Sequence, residues 1–140
     1  MLFVGDWAPV VRQVCLFAIV GVGGFVVDAV VLSAIQAVCG DWLYSGQLIA
    51  YCVAATATWQ MNRNLTFVDY RRAGRFREWA RYLLVNAWGG IINYAVFAGL
   101  ISATALCQRY PVLAVAAGSI AGLGFNFTAS RTLVFVPKAP

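Results

Sequence analysis

The chain has 140 residues, of which 62% are hydrophobic and 11% are charged, and it contains no histidine. A soluble domain carries about a quarter charged residues, so this composition excludes both an ordinary soluble domain and a disordered chain. Without histidine there is no imidazole base or histidine metal ligand, and five acidic residues are too few for a carboxylate cage. We therefore expect an integral membrane protein that is not an enzyme and needs no cofactor or metal.

Four stretches are long enough to cross a bilayer, because a helix needs about 20 residues to span roughly 30 Å of hydrocarbon. The first contains one acid, Asp28, and the others are uncharged. The first stretch is too long for a signal peptide, and no good cleavage site follows it. We predict an all-α membrane protein with transmembrane helices near residues 14–38, 43–62, 82–105 and 111–130.

Basic residues are distributed unevenly about the ends of these helices. Nine lie on one side and Arg109 alone lies on the other, which is a strong positive-inside bias. We expect both termini and the middle loop, residues 68–81, to be cytoplasmic, with short outer connections near 39–42 and 106–110. The net charge of +5 then reflects orientation and does not indicate nucleic acid as a partner. The nine are Arg12, Arg63, Arg71, Arg72, Arg75, Arg77, Arg81, Arg131 and Lys138.

The middle loop alternates arginine with aromatic residues. Phe76, Trp79 and Leu83 recur at helical spacing, which favours a short interfacial helix running into the third transmembrane helix. Its arginines can attract anionic lipid headgroups, or they can do no more than set the topology. Aromatic residues near the predicted interfaces are expected to act as anchors: Trp7, Trp42, Tyr44, Trp79, Tyr82 and Tyr110.

The two halves of the chain resemble each other. At an offset of 65 residues, the eight residues from Phe17 align with those from Tyr82, and Asp28 aligns with Asn93. At an offset of 68, residues 63–67 and 131–135 share Arg-x-Leu-x-Phe. A longer outer turn in the second half would explain the three-residue difference. We predict one domain, residues 1–140, built of two tandem helix hairpins at 12–67 and 82–135, which form a parallel repeat.

Several polar residues are candidates for binding. Asp28 lies midway along a predicted membrane helix, where a carboxylate costs roughly 2.5–3.5 kcal/mol, so it is either paired with a neighbouring helix or exposed to a polar path or substrate. An arginine with neutral donors at two helix exits suits a lipid phosphate, although snorkelling and capping would use the same residues. The candidate substrate contacts are Asp28, Asn62, Arg63, Asn64, Thr66, Asn93, Asn126 and Arg131.

Small residues recur every four positions in two of the predicted helices, and this spacing predicts close helix packing. They are Gly46, Ala50, Ala54 and Thr58 in the second helix and Ala114, Gly118 and Gly122 in the fourth. The cysteines form no C-x-x-C pair and are expected to be free thiols: Cys15, Cys39, Cys52 and Cys107.

The sequence resembles the GtrA-like family of small bacterial membrane proteins over about residues 14–135. The resemblance depends on residues 17–28, on Asn-Arg-Asn-Leu-Thr-Phe at 62–67, on residues 75–86, and on 126–127 with 130–135. It implies four transmembrane helices in the bacterial cytoplasmic membrane and a part in making cell-surface polysaccharides. Members are thought to flip polyprenyl-phosphate-linked monosaccharides or to assist the glycosyltransferases that make them. By their matching motif positions, the residues that become candidate contacts to that lipid are Asp28, Asn62, Arg63, Thr66, Asn126 and Arg131.

Two alternatives to a translocase remain from the sequence. One is a scaffold or accessory subunit that recruits a polyprenyl-phosphate glycosyltransferase. The other is a small proton-coupled drug exporter, which the nine-to-one charge bias disfavours because such dimers often insert in both orientations. Four short helices enclose little volume, so a homo-oligomer is expected in any case.

Overall fold

The structure is a computed structural model that describes residues 8–40, 43–71 and 74–137, and most of these described residues are helical. Arg72, Lys138, Trp7 and Trp42 lie outside the described residues, as do the side chains of Tyr44 and Arg71. The elements in chain order are α1 (Ala8–Cys39), α2 (Leu43–Met61), the π-helical turn π1 (Asn62–Thr66), β1 (Tyr70–Arg71), α3 (Arg75–Ala103), α4 (Ala105–Arg109), α5 (Pro111–Ala129), the π-helical turn π2 (Ser130–Val134) and β2 (Val136–Pro137).

Among the described residues, three helices are long and apolar enough to cross a membrane: Ala8–Cys39, Arg75–Ala103 and Pro111–Val134. The remaining long helix, α2, has 19 residues and no charged side chain. Its hydroxyl and amide groups, among them those of Gln47 and Gln60, lower its mean hydropathy. The all-helical membrane class is therefore confirmed, while the fourth span and the orientation of the termini stay predictions.

The chain forms two compact units, one made of the described residues up to Arg71 and the other of residues 74–137. In the first, α1 packs along α2 and π1. In the second, α3 packs along α5 and π2, and α4 connects the two long helices. Each unit is a helix hairpin followed by a π-helical turn, and the division falls between the two predicted repeats.

Small residues line the contact between the helices of each hairpin. In the first hairpin Ala50 is fully buried, and in the second so is Ala114. A side-chain carbon at Gly118 would lie 2.6 Å from the backbone oxygen of Asn93, so only glycine permits this approach. The prediction of close packing is confirmed, since every member of both small-residue series is buried: Gly46, Ala50, Ala54, Thr58, Ala114, Gly118 and Gly122.

Three boundaries differ from the predicted ones. Helix α3 begins at Arg75 rather than near residue 82, so the second half of the predicted 68–81 loop belongs to it. Arginine, glutamate and alanine are good helix formers, and a search for uncharged stretches finds only the apolar part of such a helix. Likewise α1 begins at Ala8. The predicted outer connection at 106–110 is largely the helix α4, where the hydroxyl oxygen of Thr104 accepts a 3.4 Å hydrogen bond from the Cys107 backbone N–H.

The prediction that Tyr82 is an interfacial anchor is wrong. Its side chain is 2% exposed and packs inside the second hairpin. Trp79 is half-buried with its ring centroid 5.7 Å from that of Phe76, and Tyr110 is exposed. All four cysteines are free thiols, as predicted, and only Cys107 is buried.

Candidate functional site

The first candidate cluster is the turn π1, which continues the end of α2. The backbone N–H of Phe67 donates to the carbonyl of Asn62 at 2.8 Å, five residues back, which defines a π-helical turn. The Thr66 hydroxyl donates to Oδ1 of Asn62 at 2.7 Å. The turn thus brings Asn62, Arg63 and Thr66 together as buried polar residues, while Asn64 is exposed.

Arg63 is 6% exposed, and its guanidinium carbon lies 5.5 Å from the ring centroid of Trp59, one turn earlier on α2. This contact is within cation–π distance and fixes where the guanidinium lies. The last carbonyls of a helix carry partial negative charge, and a cation at this end is favourable. Arg63 is therefore held in place by its own helix.

The second cluster is the turn π2 at the end of α5. The backbone N–H of Phe135 donates to the carbonyl of Ser130 at 2.8 Å, which repeats the hydrogen bond of π1. Arg131 is the second residue of this five-residue turn, as Arg63 is of π1. Arg131 is half-buried, whereas Arg63 is nearly fully buried. The two arginines therefore stand at equivalent positions of the two turns but differ in exposure.

An aromatic pair lies beside each π-helical turn. Phe17 and Phe67 have ring centroids 6.2 Å apart and an interplanar angle of 67°. Tyr82 and Phe135 have ring centroids 6.2 Å apart and an angle of 63°. Both are edge-to-face pairs that connect the first long helix of a hairpin to the residue after its π-helical turn. These positions are related by the offsets of 65 and 68 seen in the sequence.

Asp28 is half-buried in α1 and bonds to the neighbouring helix. The amide nitrogen of Gln47 on α2 donates to Oδ2 of Asp28 at 3.1 Å and to Oδ1 at 3.3 Å. Gln47 was not among the predicted site residues, because a search for charged residues passes over a lone amide in an uncharged stretch. A glutamine on a predicted membrane helix was the available signal, since polar groups there tend to hydrogen-bond across helices.

Asn93 and Asn126 lie inside the second hairpin. A side-chain carbon at Gly89 would collide with the amide of Asn126, and one at Gly122 would lie 3.1 Å from Cβ of Asn93. Oδ1 of Asn126 is buried with no hydrogen-bond partner within residues 74–137 or the rest of the described chain. Both amides therefore occupy space that glycines leave free on the facing helix.

The predicted site residues do not form one pocket. Asp28 contacts Gln47, which precedes Arg63 by 16 residues on nearly continuous helix, a separation of about 24 Å along the axis. Within the first unit the polar residues therefore lie at two levels, Asp28 with Gln47 and the π1 cluster. Within the second unit, Asn93 lies against Gly118 and Gly122, well before Arg131 in the chain.

The family described as GtrA/DPMS, transmembrane domain, matches residues 16–135 of the chain. No curated protein matches the chain significantly. The match, together with three apolar helices of membrane-spanning length, identifies a membrane protein whose function is related to glycosyl lipids. Proteins of this kind are generally translocases or accessory membrane proteins rather than classical enzymes. The match covers 120 of 140 residues, and the chain belongs to the GtrA/DPMS transmembrane-domain family.

Proposed function

We propose that the protein moves a polyprenyl-phosphate-linked monosaccharide from the cytoplasmic to the outer leaflet of the bacterial cytoplasmic membrane, for the synthesis of cell-surface polysaccharide. One observation carries the proposal: Arg63 and Arg131 occupy the same second position of two five-residue π-helical turns, each at the end of a hairpin. Single π-helical turns are rare and are frequent at functional sites. A lipid phosphate is the glycosyl-lipid group that a guanidinium binds best.

The two turns suit a phosphate at headgroup depth. Guanidinium presents N–H donors in a fork that matches phosphate oxygens, and these charge-assisted bonds strengthen as water is excluded. Arg63 is nearly fully buried and Arg131 is half-buried, so both act in surroundings less polar than water. Asn62, Asn64 and Thr66 supply neutral hydrogen-bonding groups beside Arg63. The prenyl chain would remain in the surrounding lipid.

The proposed topology has α2 as a fourth span and both π-helical turns in the cytoplasm. The nine-to-one distribution of basic residues supports this orientation, and the matched hydrogen bonds and aromatic pairs support two duplicated hairpins. We also propose a homo-oligomer, because a hairpin of two helices packed on small residues leaves little internal space for a headgroup.

Asp28 would act at a different depth from the arginines. A carboxylate next to the phosphate would repel it, but Asp28 bonds to Gln47, whose backbone lies about 24 Å along α2 from that of Arg63. Its bond to Gln47 leaves carboxylate lone pairs that can accept hydrogen bonds from sugar hydroxyls. We propose that this pair contacts the sugar during its passage.

Replacement of both arginines tests the proposal. In liposomes that contain a fluorescent polyprenyl-phosphate sugar, the Arg63→Ala/Arg131→Ala variant should lose flipping, because neither turn then carries a cation. The matched control is Arg109→Ala, which removes the arginine on the predicted outer side and should leave flipping intact. Wild-type flipping by the double variant, at equal protein level, would refute the phosphate site.

A second function, that of an accessory subunit of a glycosyltransferase, has one observation in its favour. The matched family groups GtrA with DPMS under a single transmembrane domain. A subunit of this kind would bind the enzyme and give no flipping when it is purified alone. Flipping by the purified wild-type protein would reject this alternative, and its absence together with stable co-purification of a glycosyltransferase would favour it.

A further inference from the structure

The second hairpin contains a groove of about 530 Å³ beside π2. All of its lining residues belong to α3, α5 and π2, so the groove lies within one unit. It includes one basic side chain and one hydroxyl, and the rest of its lining is apolar. The residues that matter here are Arg81, Leu84, Trp88, Phe125, Thr132 and Leu133.

The groove is polar at one end and apolar along its length. Arg81, Leu84 and Trp88 follow one another at helical spacing, so they lie on one face of α3 with Trp88 about 10 Å from Arg81. Phe125 is contributed by α5. Leu84 and Trp88 are exposed, with 64% and 58% of their surface accessible. Large apolar side chains thus line an open channel that begins at a cation.

Arg81 is held in place but keeps most of its donors. It is half-buried, and its Nη1 donates to the carbonyl of Leu133 at 3.4 Å. This is a long bond to a carbonyl in the last turn of the hairpin, where helical partners are lacking. A guanidinium has five N–H donors, so a single bond of this kind positions the group and leaves capacity for an anion.

We propose that this groove binds the phosphate end of a polyprenyl phosphate lipid, with Arg81 on the phosphate and Leu84, Trp88 and Phe125 against the first isoprene units. The isoprenoid identity rests on the proposed function. The volume falls within the range of small-ligand sites, and the single cation complements the charge of one phosphate group. Arg81 would then bind a phosphate in addition to contributing to the positive-inside bias.

The groove is not a general result of the hairpin fold. At the offset of 65, Arg81 corresponds to Leu16 and Trp88 to Gly23. At the offset of 68, Phe125 corresponds to Ala57. The first hairpin therefore lacks the cation and both aromatic walls. The two halves match at their π-helical turns, but only the second hairpin carries a cation and two aromatic side chains at these positions.

The test uses the full-length protein in nanodiscs with a polyprenyl phosphate that carries a diazirine in its first isoprene units. We expect crosslinks on Leu84 and Trp88. Arg81→Gln should weaken binding of the probe roughly tenfold, and Arg81→Lys should weaken it less because the charge remains. Arg77→Gln is the matched control, because Arg77 is an exposed arginine one turn earlier on the same helix, and it should bind as the wild type does.

Competition distinguishes the ligands that the groove could hold. Unlabelled polyprenyl phosphate should displace the probe, whereas phosphatidylglycerol and neutral polyprenol at equal concentration should not. Equal displacement by phosphatidylglycerol would overturn the proposal in favour of a general phospholipid surface. Equal displacement by polyprenol, or unchanged binding in a folded Arg81→Gln protein, would show that no phosphate is bound there.

The same preparations separate the two proposals. If the probe crosslinks to the groove in an Arg81-dependent manner but the liposomes show no flipping, the groove is supported and the proposed translocation is refuted. If wild-type protein flips the lipid but the crosslinks fall elsewhere and Arg81→Gln has no effect, the groove is refuted and translocation stands.

Discussion

Gly118→Ala tests the tight contact between α3 and α5. The new methyl carbon would lie 2.6 Å from the backbone oxygen of Asn93 and 2.6 Å from its Oδ1. The side-chain oxygen can rotate away, but the backbone oxygen cannot. A carbon–oxygen contact is normally about 3.3–3.6 Å, so the helices must separate locally by about 0.7–1 Å. We therefore expect the second hairpin to be destabilised.

Two effects of this substitution oppose each other, and a matched variant separates them. Overpacking of this kind typically costs about 1–3 kcal/mol, while alanine stabilises a helix by up to about 1 kcal/mol relative to glycine. Gly124 lies on the same helix and has nothing within 4 Å of an added carbon. Gly124→Ala therefore reports the helix-propensity gain without the steric cost, and the difference between the two variants should be about 1–3 kcal/mol.

Reversible unfolding in mixed micelles of a mild detergent and dodecyl sulfate measures this difference, with tryptophan fluorescence as the signal. A difference of about 2 kcal/mol is roughly a 30-fold change in the unfolding equilibrium. Asn93→Ala combined with Gly118→Ala should recover only part of the loss, because the backbone oxygen remains. If Gly118→Ala and Gly124→Ala unfold at the same dodecyl sulfate fraction, the inferred contact between α3 and α5 is incorrect.

Three further predictions concern other parts of the chain. Gln47→Leu should destabilise the first hairpin by about 1–3 kcal/mol, because it removes the hydrogen bonds to the Asp28 carboxylate, and it should have little effect when Asp28 is already Leu. Phe67→Ala and Phe135→Ala should each cost about 3–5 kcal/mol in the unfolding assay, because both side chains are buried in matching aromatic pairs. A protein that retains only Cys39 should react in intact cells with an impermeant maleimide, because Cys39 is exposed at the end of α1 that we expect to face outward.

Each of these has a control on the same chain. An equal cost of Gln47→Leu in both backgrounds would mean that the Asp28 bond contributes nothing to stability. Phe76→Ala should leave the free energy of unfolding nearly unchanged, because Phe76 is 77% exposed. A large loss of stability in this variant would mean that the assay does not distinguish buried from exposed phenylalanines. A protein that retains only Cys15 should react only after the cells are permeabilised, and the reverse labelling pattern would reject the proposed orientation.

The sequence was most informative where one residue property determines the outcome. Stripes of small residues predict close helix packing because only small side chains permit it, and Gly118 and Gly122 are buried as expected. A long run without charge predicts a helix in lipid because unpaired charge is costly there. Both inferences use local composition and need no knowledge of which residues meet in space.

The features that were missed depend on contacts between distant parts of the chain. Tyr82 matched the pattern of an interfacial anchor, yet it is buried because Phe135 packs on its ring. The role of Gln47 depends on its hydrogen bond to Asp28, which lies 19 residues earlier on the neighbouring helix. The π-helical turns have no residue signature that separates them from ordinary helix ends. The helical spacing of Phe76, Trp79 and Leu83 indicated a helix before residue 82. The search for uncharged stretches nevertheless began the third transmembrane helix at residue 82, because charge disfavours lipid but does not disfavour helix.

The π-helical turns make the chain unusually sensitive to changes in length at two places. Each holds a hydrogen bond that spans five residues instead of four, so it contains one residue more than an α-helical turn would. Deleting a single residue there would let the turn relax to α-helix and rotate everything beyond it by about 100°. Phe67 would then turn away from Phe17, and Phe135 from Tyr82. A substitution leaves the length of the turn unchanged, whereas loss of one codon would separate the aromatic pair of that hairpin.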